Sequence, residues 1–352
     1  MQGEAKTRPR IGVTLGDVNG IGPEVVVRAV LDDRVLAMCQ PVVIGSPDIL
    51  RQAIDSLTDA AEVQQVEGAK PPANNNTIAC WAPEGIETPT VEPAKVTAGA
   101  GRFAHDCLRF AARAAGDGRL DGICTAPLNK AALSAAGIDF PGHTEILADE
   151  FSVEDFAMML HLSAAALEGT RTLIGNPISR QHGVAIAHVT LHTSIRSVPE
   201  LLTTESIHEK IGLVDRFLKR LGIEEPSIGV CALNPHGGEG GLFGDEESTI
   251  IQPAITSAVS DGIKAVGPLP TDTLIRRAFL GEFQGVVAMY HDQGHIPVKL
   301  IGFDSAINVT LGIPIVRTSP THGTAFDIAW QGAANADGMI ESLLLAAKLA
   351  TS

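Results

Sequence analysis

The 352-residue chain is short of cysteine, short of positive charge and without a long apolar run. No stretch approaches the roughly 20 apolar residues that a membrane-spanning helix needs. Residues 1–10 are polar and lack the apolar core of a secretion signal, so neither a membrane nor export is expected. The five cysteines (Cys39, Cys80, Cys107, Cys124 and Cys231) are odd in number, widely spaced and free of any C-x-x-C pair. That argues against a disulfide framework and an all-thiolate zinc site, and leaves small buried side chains as the plain reading. A reducing cytoplasm is the expected setting. Lys and Arg number 26 against 41 Asp and Glu, a net charge of −15. Such a chain is a poor partner for nucleic acid. If it binds a small anion, a few local cations must do so within a negative body.

What is present is globular material, 45% hydrophobic and 19% charged, enough for a large core and two lobes. Residues 11–15 predict a strand, 16–24 a glycine turn and 25–31 a helix, with Pro23 at its start and Glu24 beside the positive end of its dipole. Residues 41–44 and 48–57 repeat that rhythm. Residues 66–97 predict a surface excursion with one or two short strands, 101–116 a helix, 122–125 a buried strand and 162–183 a loop or hairpin. Alternation of strand, glycine turn and helix is the pattern of a doubly wound α/β sheet.

Three later strands, predicted over 184–191, 227–233 and 285–290, run into His192, His236 and His291-Asp292. In open α/β sheets, ligands bind beyond the carboxyl ends of strands. One histidine at such a place is most simply a satisfied side chain; three at equivalent ends shift the balance towards function. Three neutral imidazoles leave a divalent ion its full charge and an open position. That suits Lewis-acid work on a hydroxyl or ketone oxygen. On one strand His188 and His192 would share a face about 13 Å apart, so only one reaches the site. His192, at the end, is the choice; His188 reads as structural and His295 as a looser candidate.

The glycine-dense run from Asn234 to Glu247 is either a surface loop or a place where backbone approaches a ligand. Lys299, Asn308 and Arg317 lie on or beside strongly apolar segments, where polar groups pair, bind something or stand solvated at a strand end. His143 and Thr144, in Pro141-Gly-His-Thr-Glu145, are candidate donors to a substrate oxygen, with Thr144 alternatively a helix cap. Gly99-Ala-Gly-Arg-Phe-Ala104 has the spacing of a dinucleotide fingerprint but lies in an amphipathic helix and is discounted. A nicotinamide cofactor would bind outside that fingerprint.

Taken in order, Gly16-Asp…Gly20-Ile-Gly-Pro-Glu24, Thr125-Ala-Pro-Leu-Asn-Lys130, Phe140-Pro-Gly-His-Thr-Glu145, Asn234-Pro-His236, Tyr290-His-Asp-Gln-Gly294 and Arg317-Thr-Ser…His322-Gly-Thr-Ala325 closely resemble the 4-hydroxythreonine-4-phosphate dehydrogenase family along essentially the whole chain. The resemblance implies an isocitrate/isopropylmalate-dehydrogenase-like α/β/α sandwich. It also implies two lobes with a cleft between them, 1–145 plus 325–352 and 146–324, the second carrying the metal and the dimer interface. His192, His236 and His291 would bind one divalent ion (zinc, magnesium or cobalt), shared across a homodimer interface. Substrate contacts would fall on His143, Thr144, Lys299, Asn308 and Arg317. NAD or NADP would meet His322, Gly323, Thr324, Ala325 and Asp327. Lys299 and Asp292 are the catalytic candidates.

The implied reaction oxidises a secondary alcohol beta to a carboxylate, passes hydride to NAD(P)+ and releases CO2. The implied substrate is most like 4-phosphohydroxy-L-threonine, of pyridoxal phosphate biosynthesis. There are departures. Val18-Asn19 stands for the usual Pro-Ala, Thr193-Ser194 for Pro-Leu and Trp330-Gln331 for Gly-Lys or Gly-Arg, and 162–183 reads as an insertion. His295 and Phe303-Asp304-Ser305 resemble a second branch acting on D-threonate or D-erythronate 4-phosphate; a terephthalate cis-dihydrodiol dehydrogenase is a further relative. Other classes remain as alternatives: a zinc hydrolase or lyase with a three-histidine site, a phosphate acyltransferase, and a non-catalytic sugar-acid sensor. The 322–329 run argues against the first, the histidines against the second, and the intact set of His192, His236, His291 and Lys299 against the third.

Overall fold

The computed structural model describes residues 8–57, 61–72, 74, 76–168 and 182–352. Contacts divide the chain into two compact units, Met1–Glu154 with Ile313–Thr351, and Asp155–Gly312 with Ser352. Twelve strands are numbered along the described chain. The first unit holds β1 (Arg10–Thr14), β2 (Gln40–Ile44), β3 (Glu62–Gln65), β4 (Thr77–Trp81), β5 (Gly122–Thr125) and β12 (Arg317–Pro320), in the order β3-β4-β2-β1-β5-β12. All of these pairs are parallel. Parallel strands are covered on both faces, so they read as continuous apolar runs: Ile11, Val13, Val42, Val43 and Ile123 are fully buried.

The second unit holds β6 (Ala157–Leu162), β7 (Val184–His188), β8 (Ile228–Cys231), β9 (Ala265–Leu269), β10 (Gly285–Ala288) and β11 (Ile307–Leu311), in the order β11-β6-β7-β10-β8-β9. Here β11–β6 and β6–β7 are antiparallel, while β7–β10, β10–β8 and β8–β9 are parallel. Its core packs Leu160, Ile186, Leu274, Phe279, Phe283 and Val286. Each such side chain contributes about 1.5–3 kcal/mol on burial.

Several expectations need correction. The strand predicted over 184–191 stops at His188. Thr190 then sends both its N–H and its hydroxyl to the Met289 carbonyl, at 3.2 and 2.8 Å, which takes the chain off the ladder. The helix predicted over 25–31 is Gly22–Val30, so Glu24 lies inside its first turn. Most of the predicted loop at 162–183 lies outside the described residues; its described start includes the short helix Ala164–Glu168. Gly101, in the discounted dinucleotide spacing, is there for packing. A Cβ on it would meet the Ala132 carbonyl oxygen at 2.1 Å, so helix Ala98–Gly116 closes on its neighbour only with glycine at that place. No helix among the described residues is long and apolar enough to cross a membrane.

Candidate active site

In the second unit β10 pairs with both β7 and β8 in parallel, so the three carboxyl ends lie on one edge. His192, His236 and His291 follow those ends. The His192 and His291 ring centroids are 6.1 Å apart, and both residues line an open pocket of about 810 Å³ with Tyr290 and Asp292. His236 lines a second pocket of about 700 Å³, to which Tyr290 and Asp292 also contribute. His291 Nδ1 lies 2.7 Å from Asp292 Oδ1. A carboxylate accepting from Nδ1 fixes the tautomer and leaves Nε2 as a free electron-pair donor.

The His236 loop is unusual in its backbone. His236, Gly237, Gly238, Glu239 and Gly240 all have positive φ, with His236 at 53° and Glu239 at 46°. Glycine is at home there; His and Glu are not. The loop is tied down by Glu247, whose buried carboxylate accepts from the N–H groups of Leu233 (2.9 Å) and Asn234 (2.7 Å). Gln293 joins two strand ends, accepting from Met289 N and donating to the Ala232 carbonyl, each at 2.8 Å.

His188 lies nearer the group than strand spacing predicted. Because β7 ends early, its ring sits 6.3 Å from that of His291, much as His192 does. It faces the interior, 1% exposed, with Nε2 3.2 Å from His295 Nδ1. The His295 ring stacks on His291 at 3.7 Å. Burial, then the neighbouring histidine, takes His188 down to about 3 and His295 to about 4. Both are neutral supports to the His291 ring at physiological pH. Lys299 is exposed on the same helix, His291–Gly302. Asn308 sits on β11 opposite Leu160, and its Oδ1 has no partner among the described residues.

The first unit gathers Arg317, His143 and Thr144. Arg317 is 1% exposed and donates from Nε and Nη2 to the Thr125 hydroxyl at 3.2 and 2.8 Å. Burial lowers its guanidinium to about 10, still charged at neutral pH. Burial, then the Arg317 charge, holds His143 well below the ordinary imidazole value. Its Nε2 is 3.2 Å from the Ala126 carbonyl. A carbonyl only accepts, so Nε2 carries the hydrogen and Nδ1 is left to accept. Thr144 is buried in the first turn of helix His143–Phe151; Gly142 takes the cap position that was the alternative role for Thr144.

Sequence reasoning missed Asp17, a fully buried carboxylate just beyond β1. Asn19 N–H donates to its Oδ1 at 2.9 Å, while Oδ2 has no partner among the described residues. Burial pushes its carboxyl up to about 6. Between about pH 4 and 6 the folded chain holds a proton that the unfolded chain has released, so stability falls as pH rises through that window. The shift of about two units corresponds to about 3 kcal/mol. Asp17→Asn is expected to remove this fall. Urea unfolding at the two ends of the window checks it, and an unchanged difference between them rejects the assignment.

The proposed cofactor segment is exposed at Gly323 and Asp327 and turns through Phe326–Ile328, with Ala325 at φ 41°. A Cβ on Gly323 would meet nothing within 4 Å. Open space beside a glycine and an exposed carboxylate fits a dinucleotide's phosphates and ribose hydroxyls, as the filled place at Gly101 does not.

Residues 37–346 match the family described as "Pyridoxal phosphate biosynthetic protein PdxA". The chain belongs to the PdxA family. It is 41% identical to the D-threonate 4-phosphate dehydrogenase of Salmonella typhimurium (strain LT2) over 349 residues, 99% of this chain and all of that one. It is 38% identical to the 4-hydroxythreonine-4-phosphate dehydrogenase of Geobacter metallireducens over 345 residues, 98% of this chain and 96% of that one. The crystal structure of 4-hydroxythreonine-4-phosphate dehydrogenase from Klebsiella pneumoniae superposes with a TM-score of 0.82 at 38% identity, covering 97% of this chain and 99% of that one.

In this PdxA-family chain, no group of three His, Cys, Asp or Glu side chains stands ready to hold a metal ion among the described residues. The donor chemistry nevertheless fits one: His192 and His291 share a pocket, His291 is set in the ligand tautomer, and His236 waits in the next pocket. The sequence places Glu24 beside the positive end of its own helix dipole. Its carboxylate instead accepts from Trp330 N and Gly332 N. An acidic residue inside a glycine-proline turn that runs into an apolar helix was the available signal.

Proposed function

We propose that this PdxA-family protein is an NAD(P)- and divalent-metal-dependent dehydrogenase. It oxidises, with decarboxylation, a phosphorylated hydroxy acid most like 4-phosphohydroxy-L-threonine. The observation that carries the reading is the delivery of His192, His236 and His291 to one edge by three adjacent parallel strands. When bound, the ion supplies Lewis acidity to the substrate hydroxyl and the nicotinamide ring takes up the hydride.

The chain's own residues bind and orient. Arg317 offers a planar, bidentate fork to a phosphate or carboxylate, with His143 Nδ1 accepting from a substrate hydroxyl or ammonium beside it. Thr144, Lys299 and Asn308 complete the substrate contacts. Asp292 holds the His291 ring through Nδ1 or takes part in proton transfer; Lys299 supplies positive charge to the acid. His322, Gly323, Thr324, Ala325 and Asp327 receive the dinucleotide.

The working form is a homodimer in the cytoplasm, with the metal site of His192, His236 and His291 shared across the interface. Two observations support it. Ile296, Leu300 and Phe303 are 53%, 76% and 59% exposed, at helical spacing on the segment that carries His291. The five thiols are buried and unpaired. A single-chain mass by light scattering removes the shared site. D-threonate 4-phosphate is the second reading, favoured by the 41% identical Salmonella relative.

A panel of phosphorylated four-carbon acids with NAD+ or NADP+ tests the function. Reduced cofactor is expected with one of them, abolished by EDTA and restored by a divalent ion. No reduced cofactor with any member sinks the proposal. Turnover without a nicotinamide would favour the metal-hydrolase class.

A further inference from the structure

We propose that Glu24 is a positioning residue for the cofactor: its carboxylate holds the 322–332 segment in the shape that receives the dinucleotide. This rests on reading residues 322–329 as the cofactor segment. Glu24 is fully buried, and its two oxygens accept from Trp330 N at 2.6 Å and Gly332 N at 2.7 Å. The same turn makes further ties. Ile21 N donates to the Thr324 carbonyl at 3.0 Å. A Cβ on Gly20 would lie 2.7 Å from that oxygen, so only glycine permits the approach. The Trp330 indole N–H donates to the Val18 carbonyl at 2.9 Å. Arg28 donates to the carbonyls of Gly332 (2.7 Å) and Ala334 (2.6 Å).

The Glu24 tie matters because of the residue it holds. Trp330 sits at φ 62°, a backbone region that favours glycine. A tryptophan released from the carboxylate relaxes to negative φ. The turn at Phe326–Ile328, strung between the ties at Thr324 and Trp330, then moves with it. Two charge-assisted hydrogen bonds to one carboxylate are the restraint that opposes this.

Glu24→Gln tests the role on the full-length, metal-loaded protein. The amide keeps the shape and can accept through its oxygen, but its NH2 group opposes the second N–H. NADH affinity by titration calorimetry is expected to fall about tenfold, the loss of one charged hydrogen bond. The KM for the phosphorylated acid should stay within about twofold, since nothing that binds it has moved. Adding Trp330→Gly to Glu24→Gln is expected to recover most of the loss, because glycine holds positive φ unaided. In a Trp81→Phe background Trp330 is the single tryptophan, and its emission should respond to NADH. Unchanged NADH affinity in Glu24→Gln overturns the positioning role. So does an equal loss for both ligands that Trp330→Gly fails to relieve. No response of Trp330 to NADH and no NADH binding in the Trp81→Phe protein overturn the reading of 322–329, and the proposal with it.

Discussion

Replacement of His236 by glycine is expected to lower kcat by about 1,000-fold or more while leaving thermal stability unchanged or slightly raised. Loss of a group that merely supports a metal ligand costs about 10–100-fold, and a ligand itself should cost more. Stability should not follow, because His236 stands at φ 53°. A non-glycine residue there carries about 1–2 kcal/mol of strain. Glycine relieves that strain and gives back about 0.5–1 kcal/mol through its freer unfolded chain. On the proposed ligand role that strain is kept for the imidazole, as functional sites commonly keep it. Metal content and Tm measured with turnover decide the matter: full activity with normal metal content removes His236 from the ligand set.

Arg317→Met is expected to lower kcat/KM for the phosphorylated acid by a few hundredfold, about 3–4 kcal/mol, with Tm within a few degrees of the parent. The guanidinium is 1% exposed and its hydrogen bonds to Thr125 go to a neutral hydroxyl. A buried cation carries a desolvation cost that an apolar side chain of similar length does not, and Arg317→Met gives that cost back against the hydrogen bonds it loses. The loss should fall on binding the anion. Arg317→Lys keeps the charge without the fork and should recover only part of it. A lysine variant with wild-type kcat/KM would show that a point charge suffices. A methionine variant with full activity would remove Arg317 from the substrate site.

Much of the scaffold was legible because parallel strands, buried on both faces, are written as apolar runs closed by glycine. The strand at 122–125 is reproduced by β5, and the one at 41–44 by β2 with one residue more. β6 and β11 went unread. Ala157-Met-Met-Leu-His-Leu162 carries no β-branched residue and suits a helix equally well. The end of β7 was also hidden, because it depends on where the Thr190 hydroxyl goes. In the site, the three histidines were visible as strand-end residues. The left-handed path at His236 was not, since a glycine-dense run permits many conformations. Nor was the burial of Asp17, Glu24 and Glu247: a carboxylate in a glycine turn looks solvated until the segment that covers it is known, and for Glu24 that segment lies some 300 residues on.

The division of the chain has a consequence for its birth on the ribosome. The second unit is essentially one uninterrupted stretch, Asp155–Gly312, while the first is assembled from stretches on either side of it. The middle of the protein is therefore fully synthesised before the unit that contains its beginning. Until β12 emerges, β5 has an unpaired edge, the kind of edge that invites pairing with another chain. Arg317 lies on β12 and the 322–332 segment follows it, so both are synthesised only after the whole of the second unit. On the proposed roles of those residues, neither substrate nor dinucleotide can act as a template for the earlier steps of folding.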